Sequence, residues 1–152
     1  LMAGLIFLLW KLTRRVRHEM QMRRLSPRER ALRELDLLLA KRLVEKNRVK
    51  DFYLELTLVV RRYIERAHWI RAPEQTTPEF LTAVSRNPRF SREVVERLKL
   101  FLEAADLVKF AAWHPEQGAI DNATRTARDY VEKDTGPSQE AAVPGAETPK
   151  HV

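Results

Sequence analysis

The stretch RVKDFYLELTLVVRRYIERAH, residues 48–68, carries the most regular pattern in the chain and decides its fold class. Its large apolar residues recur at the three- and four-residue spacing of one helix face over about five turns. The spacing predicts an amphipathic helix whose opposite face, with an Arg61–Glu65 pair, meets solvent. The predicted core positions are Val49, Phe52, Tyr53, Leu56, Val60, Tyr63, Ile64 and Ala67.

Further helices are predicted on both sides of this one. SPRE at 26–29 and TTPE at 76–79 are capping boxes with an early proline, which start a helix over about 27–46 and a short helix after 77. Ser91 caps a helix over about 92–112, which is apolar over most of its circumference and is therefore predicted to be the centre of the bundle. A last helix covers about 116–133. The predicted apolar faces of the first and last helices are Leu32, Leu35, Leu39 and Leu43, and Ile120, Ala123, Ala127 and Val131.

Five helices joined by short loops predict an all-α fold, a compact helical bundle over residues 26–135. After it, residues 136–152 are rich in Pro, Gly, Ala and Glu and hold few large apolar residues. Such a composition buries too little surface to order itself, so this segment is predicted to be a disordered tail.

The first ten residues, LMAGLIFLLW, form an apolar run without charge. Ten helical residues rise only about 15 Å, against roughly 30 Å of hydrocarbon. Residues 1–10 are therefore predicted to be the C-terminal half of a transmembrane helix of a longer protein. The alternatives are a signal peptide, in which the charges would come first, and an amphipathic helix packed on the protein. The predicted membrane anchor consists of Leu5, Ile6, Phe7, Leu8, Leu9 and Trp10.

A basic block follows the apolar run at once. Lys11, Arg14, Arg15 and Arg17 are the predicted contacts to lipid headgroups, within a juxtamembrane segment over 11–25. Residues 11–33 hold nine basic and two acidic residues, which equals the whole net charge of +7. The charge is therefore local, and it favours anionic lipid at about 1 kcal/mol per basic residue near the surface. A basic arm over 11–33 that binds nucleic acid is the alternative.

The sequence offers no recognisable chemistry. It has no cysteine, only four glycines and four scattered histidines, and it lacks a phosphate-binding glycine loop, an HExxH motif and an EF-hand. No catalytic residue, cofactor or metal site is predicted, and the chain is expected not to be an enzyme. A helical enzyme whose site leaves no motif stays as a third hypothesis.

A few polar and aromatic residues stand out within the helices. Arg61 with Arg62, and Asp106 with Lys109, are candidates for a surface that contacts a partner; the alternative is an ordinary solvated face. His68 ends the second helix, where a cation is mildly favoured by the helix dipole. At the helix ends, Trp69 and Trp113 are expected to cover the core, with a ligand box as the alternative.

The segments FYLEL, RRYIE, TTPEFL and ADLVKFA occur in the same order and at the same spacing as in a known protein family. With them, residues 5–133 resemble the cytoplasmic C-terminal region of BatD-like and related aerotolerance-operon membrane proteins. The resemblance implies a bacterial inner-membrane protein with one late span, and with residues 11–152 in the cytoplasm. It also implies protein partners, a MoxR-type ATPase or a von Willebrand factor A protein, in stress tolerance or envelope assembly. It carries over no catalytic residue. Together these observations predict a membrane-anchored, non-enzymatic interaction module.

Overall fold

The computed structural model describes residues 25–111 and 113–134, and within them the chain is all-helical. This confirms the predicted all-α bundle, since the described part contains five helices and no strand. The helices are α1 (Pro27–Ala40), α2 (Val49–His68), α3 (Thr77–Ser85), α4 (Arg92–Phe110) and α5 (Gln117–Lys133).

Helix α2 is the centre of the bundle, because α1, α4 and α5 all pack on it. The face predicted from its spacing is confirmed: Val49 is half-buried and the other seven predicted positions are buried. Remaining packings join α3 to α4 and α1 to α5. The predicted face of α5 is also confirmed, as all four of its predicted core residues are buried.

The prediction that α4 occupies the centre is wrong. Leu100, Leu107 and Phe110 are 66%, 53% and 81% exposed. The helix has its main contacts with α2 and α3 only, so one apolar side of it has no neighbour in the described part of the chain. The wide apolar surface of α4 therefore does not mean that neighbours enclose the helix. One apolar side packs on the bundle, and a second apolar side is exposed.

Helix α1 is shorter than predicted, ending at Ala40 and not near residue 46. Arg42 and Asn47 adopt left-handed backbone angles, with φ of 51° and 57°, and these residues turn the chain back toward α2. The buried face of α1 runs through Ala31, Leu35 and Leu38, so Leu38 is buried and the predicted Leu39 is exposed.

Both capping boxes are present as predicted. The Ser26 Oγ accepts from the backbone N–H of Glu29 at 3.2 Å, and the Glu29 carboxylate accepts from the backbone N–H of Ser26 at 2.9 Å. The Glu79 carboxylate accepts from the backbone N–H of Thr76 in the same way. These hydrogen bonds from Ser26 and Thr76 lower the pKa of Glu29 and of Glu79. Each box satisfies amide groups that the first helical turn leaves without partners.

Three predicted segments fall outside the described residues: the membrane-helix end at 1–10, the basic segment up to residue 24, and the tail at 136–152. The predicted anchor and headgroup contacts lie in the first two. None of the helices in the described ranges combines the length and the apolar content needed to cross a bilayer.

Candidate functional site

Three of the four predicted partner residues come together beside the start of α3. Arg61 on α2 and both Asp106 and Lys109 on α4 line one cavity of about 580 Å³, together with Leu58 and Phe110. Arg62, the fourth, is exposed and is not among the residues that line this cavity. The structure therefore joins residues that the sequence separates by 45 positions or more, and it divides the Arg61–Arg62 pair.

Arg61 does not face solvent, so the predicted solvent-side pair with Glu65 is wrong. The residue is 7% exposed. Its guanidinium donates to the carbonyl oxygens of Ala72 at 2.9 Å and of Gln75 at 2.7 Å, and to the Thr77 Oγ1 at 2.9 Å. It also lies 4.9 Å from the centre of the Phe80 ring. The long aliphatic stem of arginine can pass through the core while its charged end binds the α2–α3 loop.

Asp106 is the negative charge that acts on Arg61. Burial lowers the pKa of Arg61, and the negative charge of Asp106 acts in the opposite direction. Asp106 Oδ1 lies 2.9 Å from the Lys109 Nζ, and the Lys109 side chain is largely buried. Lys109 also lies 5.7 Å from the centre of the Phe110 ring. The Asp106–Lys109 pair is local to the last turns of α4, and Phe110 is the exposed member of the group.

A second polar cluster joins the ends of α2 and α5. His68 Nε2 lies 2.6 Å from the Asp134 Oδ2, and Tyr63 donates its hydroxyl hydrogen to the same oxygen at 2.8 Å. The side chains of His68 and Asp134 are only 1% and 11% exposed. Arg28 of α1 donates to the backbone carbonyl of Asp134. His68 is thus a buried tie between helices, beyond the helix-end role predicted for it.

The tyrosines of this cluster are held in their neutral form. Burial raises the pKa of Tyr63, and its hydrogen bond to Asp134 adds to the effect. Burial and the charge of Asp134 also raise the pKa of Tyr130, whose ring lies 5.9 Å from that of Tyr63. The buried Tyr130 hydroxyl finds no hydrogen-bond partner in the part of the chain that the structure describes. No sequence pattern marks Asp134, which lies at the border of the predicted tail.

A groove of about 610 Å³ lies between α4 and α5. Tyr53 and Val60 of α2 form its floor, and Leu98 and Phe101 of α4 form one wall. Leu100, on the exposed side of α4, also lines it. We call this cavity the α4–α5 groove. No sequence motif marks it, because it exists only where two helices packed on α2 remain apart.

The mouth of the α4–α5 groove is mostly basic. Arg89, Arg97, Arg125 and Lys133 line the groove and are all exposed. The two carboxylates that line it already have partners: Asp129 lies 3.3 Å from the Lys133 Nζ, and Asp134 binds His68 and Tyr63. Arg89 and Arg125 form no ion pair with any carboxylate in residues 25–111 and 113–134.

The two tryptophans do not cover the core, which corrects the expectation for them. Trp69 is 85% exposed and takes a left-handed conformation, with φ of 60°, directly after α2. Trp113 is also exposed and lines the α4–α5 groove. Both rings follow the last turn of a helix, where the change in chain direction carries them outward. Trp113 therefore belongs to a candidate binding surface.

Neither cluster has the composition of a metal site. Among the described residues, no three His, Asp or Glu side chains converge so that they could hold a metal ion. Comparisons with protein-family models, with curated proteins and with solved structures find no match to this chain. The candidate site therefore stands on its geometry: an apolar groove with a basic mouth, next to an uncovered apolar side of α4.

Proposed function

We propose that this chain is a membrane-anchored interaction module without enzymatic activity. Residues 1–10 lie in the bilayer, the basic residues that follow stay near anionic lipid, and the bundle presents α4 to a partner protein on the cytoplasmic side. The observation that carries the proposal is the apolar side of α4, where Leu100, Leu107 and Phe110 are exposed.

The exposed side of α4 has the character of a binding surface. Leu54 of α2 is exposed as well, and it lines the same cavity as Phe110. Clustered apolar side chains on a domain surface are typical of protein contact sites, whereas single exposed leucines are ordinary. Covering one large apolar side chain completely contributes about 1.5–3 kcal/mol. A few such residues are enough for a specific contact.

The polar clusters of the bundle support a scaffold and not a reaction. Arg61 binds loop carbonyl oxygens, Lys109 pairs with Asp106, and His68 shares the Asp134 carboxylate with Tyr63. Each of these groups has at least one partner inside the fold, and the buried His68 Nδ1 alone among them has no partner in the described residues. The surface that remains open is apolar with basic residues around it, which suits a macromolecular partner.

The resemblance in sequence names the partner to test first, a MoxR-type ATPase or a von Willebrand factor A protein from the same genome. In a titration with the purified proteins, the chain is expected to bind one of them, and Leu107→Glu is expected to weaken that binding at least tenfold, about 1.4 kcal/mol. Leu37→Glu is the matched control, because Leu37 is 44% exposed on α1. Equal loss in both variants, or binding to neither protein, contradicts the proposed partner.

The anchor needs a separate test on the protein in the cells that make it. We expect it to stay in the membrane fraction through washing with concentrated salt, because salt screens headgroup contacts but not an apolar span. Replacing Leu5, Phe7 and Leu9 by serine is expected to weaken this retention. Release of the unchanged protein by salt alone contradicts the anchor.

A further inference from the structure

The α4–α5 groove has the shape of a place for one more helix. Its walls are two helices that both pack on α2, and its floor is formed by buried side chains of α2. A helix laid along the opening would contact α4 and α5 together, as amphipathic helices do in apolar grooves. Leu100 and Trp113 stand exposed where such a helix would lie. The groove thus offers apolar contacts at its floor and its edge.

The basic side chains at the mouth of the groove favour a partner whose surface is negatively charged. Four exposed basic side chains line the groove, of which Arg97 pairs with Glu93 and Lys133 with Asp129. The other lining carboxylate, Asp134, is engaged by His68 and Tyr63. Arg89 and Arg125 have no carboxylate partner in the described residues and can meet an incoming one. Complementary charge around an apolar contact steers the partner and fixes its orientation. An acidic surface therefore fits this mouth better than a basic one.

We infer that the α4–α5 groove binds an acidic amphipathic helix of a partner protein. The inference rests on the proposed function and adds the surface and the chemistry of the partner. The leucine side of the incoming helix lies on Leu100 and the α2 floor, and its glutamates or aspartates face Arg89 and Arg125. Nucleic acid fits less well, because most of the groove surface is apolar and Trp113 is the exposed ring available for stacking.

The test uses the full 152-residue chain in mild detergent and a synthetic peptide of about 18 residues, long enough to form a helix. The peptide carries leucines at i, i+3, i+4 and i+7 and glutamates on its other face; a second peptide has lysines in place of the glutamates. Fluorescence anisotropy is expected to show that the acidic peptide binds at least tenfold more tightly. Equal binding of the two peptides overturns the inference.

Substitutions in the groove test whether the peptide binds there. Leu100→Glu, and Arg89→Glu combined with Arg125→Glu, are each expected to weaken binding of the acidic peptide about tenfold. Leu37→Glu and Arg62→Glu are matched controls, since both residues are exposed and lie outside the groove lining. The basic segment at 11–24 is the same in every variant, so the differences between variants report on the groove. Equal losses in the groove and control variants overturn the inference.

Two other occupants of the groove, nucleic acid and a second copy of this chain, would each give a different experimental result. If a single-stranded DNA of about 20 nucleotides displaces the acidic peptide and loses its affinity in the arginine variants, the groove is a nucleic-acid site. If sedimentation shows a dimer of the unchanged chain that Leu100→Glu converts to a monomer, the occupant is a second copy. Either result overturns the inference of an acidic partner helix.

Failure of this inference is distinct from failure of the proposed function. Suppose that the chain binds the ATPase or the von Willebrand factor A protein, and that Leu107→Glu weakens this binding whereas Leu100→Glu does not. The interaction role then stands and the groove is not its site. If the chain binds neither protein, the proposed partner is wrong whatever the peptide shows.

Discussion

His68 Nε2 lies 2.6 Å from the Asp134 Oδ2, which joins the last residue of α2 to the residue that follows α5. The contact spans 66 positions in sequence and is almost completely buried. Tyr63 donates to the same oxygen, so one carboxylate oxygen accepts from two residues of α2. Because Asp134 also lines the α4–α5 groove, this contact fixes the α5 side of the groove.

Removing the carboxylate is expected to destabilise the bundle. Asp134→Ala leaves His68 and Tyr63 buried without their partner, at a cost of about 2 kcal/mol. Chemical denaturation measures the free energy of unfolding. The control is Asp129→Ala, which removes an exposed pair with Lys133 and should change stability by less than about 0.5 kcal/mol. Equal effects of the two variants would show that the tie adds no stability.

Arg61 and Arg62 are adjacent in sequence and are expected to differ sharply in their contribution to stability. Arg61→Met removes a charged donor from the carbonyl groups of Ala72 and Gln75 and from Thr77, and we expect a loss of about 3 kcal/mol. Arg62→Met changes an exposed side chain and should stay within about 0.5 kcal/mol of the unchanged chain. Thermal unfolding of both variants measures this contrast. A stable Arg61→Met variant would contradict the structural role of the guanidinium.

The buried tyrosines predict a loss of stability at alkaline pH. In the folded chain the pKa values of Tyr63 and Tyr130 lie above their ordinary value of 10.0, so folding favours the protonated form of each. Their contribution is therefore complete below about pH 10 and is lost as the pH rises beyond it. Unfolding by urea between pH 8 and pH 11 measures the slope.

The variant Tyr130→Phe distinguishes the alkaline loss of stability due to the tyrosines from a loss due to the titration of lysines. The Tyr130 hydroxyl has no partner in the described residues, so its removal is expected to raise stability near pH 8 by about 1 kcal/mol. The variant should also lose less stability than the unchanged chain as the pH rises. If the two chains follow parallel curves, the hydroxyl is not buried as the structure has it.

The capping boxes predict a loss of stability at acidic pH. Hydrogen bonds from Ser26 and Thr76 lower the pKa of Glu29 and Glu79 below the ordinary value of 4.5. The contribution of each carboxylate is therefore complete above about pH 4.5 and is lost as the pH falls through the lower pKa of the folded chain. We expect Glu29→Gln combined with Glu79→Gln to lower the melting temperature at pH 7 and to flatten its decline toward pH 3. An unchanged decline would contradict the role of the boxes.

Side-chain spacing and cap residues predicted a helix and its buried face well where the helix packs through one apolar face. The faces of α2 and α5 and both capping boxes follow from side-chain spacing and cap chemistry alone. The central position assigned to α4 was wrong, because spacing reveals an apolar side but not whether a neighbour covers it. The early end of α1 was missed because it depends on two left-handed residues and on the direction that α2 requires.

The candidate site was less predictable than the fold. Asp106 and Lys109 were candidates from the sequence, and they line the same cavity as Arg61. The burial of Arg61 depends on carbonyl groups of a loop that follows α2, and no spacing rule encodes such a contact. The α4–α5 groove depends on the distance between two helices. Tertiary packing sets this distance, and no local sequence pattern encodes it.

The most direct measurement of the interaction role is site-specific photo-crosslinking of the protein in the cells that make it. A photoreactive amino acid replaces Leu100 or Leu107 on the exposed side of α4, and Leu37 on α1 serves as the exposed control. The account predicts that the two α4 positions yield a covalent adduct with one and the same protein, and that Leu37 yields none. Adducts of equal yield from all three positions, or from Leu37 alone, would contradict it.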